Sequence, residues 1–191
     1  MKHLKLLFMV LAMMLSAGTM AQSAETLYKD GKALYDAEKY SEAFPKLMAA
    51  AEKGHKKAQY RVGLCYDKGR GVKEDDAQAV AWYQKSAAQE YDKAQYQLGK
   101  CYKDGEGVAK DRKKAVELFM KAAKQDNADA QYQLGKAYLN GKGIEADAAK
   151  AKTWLKRAVN DEKDGDKIKK KIQEDAAEGD EDAKRILQLI K

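Results

Sequence analysis

This chain offers little from which to build a reaction centre. Histidine occurs only twice, at His3 and His55. A lone histidine in a polar turn does not assemble the nucleophile, base and orienting carboxylate of a triad, so His55 reads as a solvated surface residue. No Gly-x-Ser-x-Gly elbow is present, and Ser86-Ala87-Ala88-Gln89 lacks the lysine of a Ser-x-x-Lys nucleophile. There are two cysteines, Cys65 and Cys101, and neither has a second cysteine or histidine at zinc-ligand spacing. Acidic pairs such as Asp75-Asp76 and Asp161-Glu162 lack the Asp-x-Asp-x-Asp-Gly spacing of a calcium loop, and capping or solvation accounts for them. No catalytic, cofactor-binding or metal-binding residue is therefore assigned.

Long apolar runs are scarce too. The longest, Leu6 to Leu15, has ten residues, half of the ~20 needed to span a bilayer. It follows a basic start at Lys2, His3 and Lys5 and precedes the small residues Thr19 and Ala21. That order predicts a secretory signal peptide over residues 1–21, cleaved after Ala21, and a periplasmic or secreted product with no stable membrane span. Without Lys2 and Lys5 the formal charge falls from +7 to +5. Acids and bases alternate along the chain, which for an exported chain argues against nucleic acid as the partner and leaves a mild preference for an anionic one.

What the chain does have is a repeat. The motif Ala-Gln-Tyr-x-x-Gly-x-x-Tyr begins at Ala58, Ala94 and Ala130, a strict period of 36. Each copy runs into a Gly-x-Gly loop at Gly69-Arg70-Gly71, Gly105-Glu106-Gly107 and Gly141-Lys142-Gly143. These are turns after helices. A dinucleotide fingerprint needs a third glycine and a preceding strand. A fixed period of this length marks a solenoid of stacked supersecondary units.

On the first helix of a copy, Ala58, Val62, Cys65 and Tyr66 form one apolar stripe. Gly63 lies on an adjoining face, where a missing side chain lets the second helix approach. Gly69 suits a left-handed C-cap. Asp75, Asp111 and Asp147 precede each second helix, where a carboxylate caps free amides. Behind them Ala79, Trp82, Tyr83 and Ser86 recur as Ala115, Leu118, Phe119 and Ala122, then as Ala151, Trp154, Leu155 and Ala158. Cys65 and Cys101 occupy one slot of successive copies, and Ala137 fills it in the third. Equivalent positions on stacked helices sit at about 8–10 Å, beyond the ~7 Å Cα limit of a disulfide, so both read as buried free thiols. Gln59, Gln95 and Gln131 belong to the motif and read as structural.

Around the three copies the pattern changes. Residues 22–56 read as a helical hairpin without the glycine loop, carried by Leu27, Gly31 and Leu34, then by Ala43, Leu47 and Ala50. Pro45 predicts either a second helix that starts after Ser41 or a kink there. Residues 57–160 hold the three repeats. Asn160 to Asp166 reads as a linker. Ile168, Ile172 and Ala176, then Ile186, Leu187 and Ile190, predict capping helices over residues 161–191.

These residues resemble the Sel-one-like repeat family, close kin of tetratricopeptide repeats. Its pattern is Ala-x-x-x-Leu-Gly-x-x-Tyr, Gly-x-Gly-Val, Asp, then Lys-Ala-x-x-Trp ending in Ala-Ala. Ala58 to Val159 matches, with Val62 for Leu, Ile144 for Val, Leu118 for Trp and Gln78 for Lys. The resemblance implies an all-α, right-handed solenoid of stacked hairpins that acts as a non-catalytic adaptor. It links exported bacterial members with signalling regulation, polysaccharide export and host contact. A cysteine-rich branch is linked with penicillin binding and weak lactam hydrolysis, but it pairs cysteines within one repeat and this chain does not.

Function is thus expected on a surface. Opposite the packed face, Arg61, Leu64 and Lys68 repeat as Gln97, Lys100 and Asp104, then as Gln133, Lys136 and Asn140. Stacking lines them along an inner curve, where long polar side chains with one exposed leucine suit a protein or peptide partner, an acidic one included. The other readings are an envelope glycan or peptidoglycan binder and, further off, the lactam-hydrolysing enzyme.

Overall fold

The structure, a computed structural model, describes residues 22–191; the expected leader lies outside them. Every element is a helix, and the helices pair in chain order. Helix α1 (Ala24–Asp36) pairs with α2 (Tyr40–Glu52), and α3 (Lys56–Lys68) with α4 (Asp76–Ala88). Helix α5 (Asp92–Asp104) pairs with α6 (Arg112–Ala123), and α7 (Ala128–Asn140) with α8 (Ala148–Val159). A last pair, α9 (Gly165–Ala177) and α10 (Glu181–Ile190), closes the C-terminal end. Each second helix also packs on the first helix of the next pair, so the chain is an α-solenoid. Among the described residues no helix is long and apolar enough to cross a membrane.

Local sequence sets the ends of these helices. The carboxylates of Asp75, Asp111 and Asp147 accept from the amides of Gln78, Lys114 and Lys150 at 3.0, 3.0 and 2.9 Å, as the spacing predicts. Gly69, Gly105 and Gly141 take left-handed C-cap angles. The second loop glycines go further than a local turn. A Cβ on Gly71, Gly107 or Gly143 would collide with the carbonyl oxygen of Tyr40, Asp76 or Arg112 respectively. Each loop thereby seats on the start of the preceding pair's second helix, and this fixes the stacking distance.

The core runs along the stack rather than sitting at one centre. Leu47, Val62, Tyr83, Leu134, Leu155, Ile172 and Ile186 are all fully buried. Gln59 and Gln95 are buried polar struts: Gln89 Nε2 donates to Gln59 Oε1 and Gln125 Nε2 to Gln95 Oε1, both at 2.8 Å. Each bond ties the exposed turn after a second helix to its own pair's first helix. Cys65 and Cys101 are buried and unpaired, and burial pushes their thiols up to about 11 and about 12.

Three expectations need correction. Helix α2 does not start after Ser41; it runs unbroken from Tyr40 through Pro45, whose ring is exposed. The linker after α8 is shorter than Asn160 to Asp166, because Gly165 already opens α9. Gly165 is buried against Val159, whose carbonyl oxygen would lie 2.6 Å from an added Cβ, so it is a close-packing residue. His55 is not solvated. Only 15% of its side chain is exposed. Its Nδ1 accepts from Ala58 N at 3.1 Å to cap α3, its Nε2 lies 3.0 Å from Glu25 Oε2, and its ring stacks on Tyr28.

Candidate functional site

The first helices α1, α3, α5 and α7 lie side by side and form one wall. At its N-terminal end the predicted stripe is already engaged. The Arg61 guanidinium lies 3.4 Å from Asp36 and 4.8 Å above the Tyr35 ring. Leu64, expected exposed, is half-buried and packs on the core. Lys68 is exposed and pairs with Asp67 at 3.3 Å.

Further along, the stripe opens into two clefts. One, of about 310 Å³, is lined by Tyr60, Tyr96, Gln97, Asp92, Asp129 and Asp164. Burial raises the phenols of Tyr60 and Tyr96 above their ordinary range, and a Gln97 hydrogen bond opposes the shift at Tyr60. Burial also raises the Asp129 carboxyl, with Lys167 and then Lys100 pulling it back. Lys100 is half-buried and near enough for its charge to act on Asp129.

The other cleft, of about 290 Å³, gathers Gln133, Lys136, Asn140 and Asp104. Lys136 Nζ lies 5.5 Å over the Tyr132 ring. Helix α10 reaches one lip of this cleft. Asn140 Nδ2 donates to Asp182 at 2.7 Å, and Arg185 donates to Asn140 Oδ1 at 3.0 Å. The chain's own C-terminal helix thus covers the end of the stripe at Asn140 and leaves Gln133 and Lys136 open to the cleft.

Sequence reasoning missed the rest of both linings. Tyr60, Tyr96 and Tyr132 recur at the same period of 36 and were absorbed into the packing motif, although Tyr60 and Tyr96 face a cleft. Lys110, Arg112 and Lys142 come from loops and a second helix, outside any stripe read from one helix. Among the described residues no three His, Cys, Asp or Glu side chains are placed to hold a metal ion. The arrangement offers charge, hydrogen bonding and aromatic surface, and no activated nucleophile.

Comparison with known proteins agrees with this architecture. The sequence pattern of the Sel1 repeat matches residues 56–91, 92–127 and 128–161. A solved Sel1 repeat protein from Oxalobacter formigenes superposes with a TM-score of 0.67 at 31% identity, over 82% of this chain and 72% of that one. A protective antigen of uropathogenic Escherichia coli strains that displays an SLR fold superposes with a TM-score of 0.70 at 33% identity, over 76% of this chain and 32% of that one. Among curated proteins, rat DAP3-binding cell death enhancer 1 is 49% identical over 41 residues, 22% of this chain and 8% of its own length. Chitin synthase regulatory factor 3 of Schizosaccharomyces pombe is 44% identical over 48 residues, 25% of this chain and 5% of its own. The chain therefore spans less than a tenth of either curated relative.

Proposed function

This chain belongs to the Sel1 repeat family, and from that premise we propose that it is an exported scaffold that holds a protein or peptide partner along the concave wall of its first helices. Sel1 repeats as a family mediate protein–protein interaction and are generally non-catalytic. The observation that carries the reading is the wall itself. Its packed face is sealed by interlocking glycines and rings, while Gln97, Gln133 and Lys136 keep half-exposed polar ends at two open clefts and Lys100 is half-exposed on α5. Export is supported by the basic start, the short apolar run and the small residues ending at Ala21.

Two experiments test this. A photo-crosslinking residue at Gln97 or Lys100 is expected to trap a partner in cell extracts, whereas one at Lys121, exposed on α6, is not. Equal trapping at Lys121, or none at Gln97 and Lys100, refutes the wall. Expressed from Met1 in a bacterial host, the protein is expected outside the cytoplasm with Gln22 at its N-terminus. An intact Met1 start in the cytoplasm refutes export.

A further inference from the structure

The cleft between α5, α6 and α7 differs from the rest of the wall in charge. Lys103, Lys110, Arg112, Lys136 and Lys142 surround it, drawn from two first helices, one second helix and two loops. Only two acids line it, Asp104 and Asp182. Lys103 pairs with Asp104 at 3.4 Å. Among the described residues no carboxylate lies within 4.0 Å of the charged ends of the other four cations. The floor is apolar, made by Val116, Phe119 and Ala137, which are 5, 2 and 8% exposed.

This charge does not come from the repeat motif. One period upstream, the packing positions are kept: Ala79 stands for Ala115, Val80 for Val116 and Tyr83 for Phe119. Four of the five rim cations are reversed, and the fifth, Lys136, corresponds to Lys100. Lys103, Lys110, Arg112 and Lys142 correspond to Asp67, Glu74, Asp76 and Glu106. Four cations stand where the preceding junction has four acids, on the same scaffold. A ligand that fits one junction electrostatically is repelled by its neighbour, which fixes register along the wall.

We propose that this cleft is the specificity subsite of the wall and takes an acidic peptide segment that inserts one apolar side chain. The inference rests on the scaffold reading above. The ring of cations supplies charge complementarity to glutamates and aspartates, concentrated because low-dielectric walls flank it. The floor of Val116, Phe119 and Ala137 receives the apolar residue. At about 290 Å³ the cleft stands at the lower edge of the ~300–1,000 Å³ typical of small-molecule sites, a volume suited to a side chain. The chain already shows a carboxylate received here, since Asp182 of α10 accepts from Asn140 at the lip. The acidic turn before α10 lies close enough for Lys136 to help hold the Asp180 carboxyl below its ordinary range, after its backbone hydrogen bond to Ala183.

The test uses the whole protein and a fluorescein-labelled glutamate-rich dodecapeptide with one central leucine, followed by fluorescence anisotropy and by amide chemical shifts. The peptide is expected to bind, to weaken in about 0.5 M salt, and to shift amides between Lys103 and Phe119 and between Gln133 and Lys142. Replacing its leucine by serine, or its glutamates by lysines, is expected to weaken binding. The double variant Lys110→Glu with Arg112→Asp installs residues the preceding repeat already carries, so the fold is kept. It is expected to lose affinity by roughly tenfold or more, from two reversed rim charges. Lys121→Glu, on the exposed side of α6, is expected to leave affinity unchanged. Equal loss in Lys121→Glu, shifts confined to the Tyr60–Tyr96 cleft, an indifferent leucine-to-serine change, or no binding overturns the subsite. An oligonucleotide of equal charge binding more tightly overturns the peptide class. If crosslinks at Gln97 and Lys100 persist in any of these cases, the scaffold reading stands without the subsite; if they are absent, both fall.

Discussion

Replacing Gly63 by alanine isolates the contact that sets the spacing within a repeat. A Cβ at this position would lie 2.5 Å from both Cδ1 and Cε1 of Tyr83. The ring has no easy retreat. Tyr83 is 1% exposed, and its hydroxyl donates to Asp67 at 3.3 Å. Overpacking of this kind costs about 1–3 kcal/mol. Alanine is favoured over glycine within a helix by about 1 kcal/mol, so the net loss is up to about 2 kcal/mol. For a chain of this length the upper figure corresponds to a melting temperature lower by roughly 4–8 °C. Urea and thermal unfolding followed by far-ultraviolet circular dichroism measure it. The decisive arm is the Tyr83→Ala background. With the ring gone only helix propensity remains, so Gly63→Ala is expected to stabilise there by about 1 kcal/mol. Destabilisation of the same size in both backgrounds would falsify the interlock.

Other consequences are open to measurement. Gln125→Leu leaves the buried Gln95 Oε1 without its donor and is expected to cost about 1–3 kcal/mol in urea unfolding; a neutral result shows that the strut is idle. Cys65 and Cys101 are expected to resist Ellman's reagent at neutral pH in the native state and to react as two thiols in denaturant, because burial raises both thiols and blocks access. Rapid native labelling contradicts that burial. The Asp147 and Asp180 caps are held below the ordinary aspartate value of 3.8, mainly by hydrogen bonds from the backbone amides of Lys150 and Ala183. A depressed folded value means their contribution is present above 3.8 and is lost as pH falls through the lower folded values. The acid melting of Asp147→Asn is expected to be shallower than that of the parent over that range, and parallel curves refute the assignment.

Much of the fold was legible because packing positions obey a strict period. A small residue opposite a ring, a carboxylate at an N-cap and a glycine at a C-cap are local requirements. Gly63, Asp75 and Gly69 announce them within a few residues of where they act. Where the reading failed, the deciding contact lay far away in sequence. His55 looked solvated because its clamp partners, Glu25 and Tyr28, stand on a helix about thirty residues earlier. Arg61 looked like a free end of the stripe until Asp36 and Tyr35 were brought against it. Gly165 carried the composition of a linker, and only its proximity to the Val159 carbonyl shows a tight packing contact. Pro45 suggested a helix starting after Ser41 or a kink, and α2 starts at Tyr40 and continues through it with the ring on the exposed side.

The candidate surface divides in the same way. By its period of 36, the sequence alone determined that helical hairpins stack and which side chains interlock, since each packing rule is satisfied inside one repeat. It also contained the reversal of four rim charges between successive repeats, although nothing along the chain says that those positions meet. Tertiary structure decided that they do, by seating each glycine loop on the preceding pair and bringing two first helices, a second helix and two loops around one opening. Electrostatic fit depends on distances through space, and only the stacked chain has them.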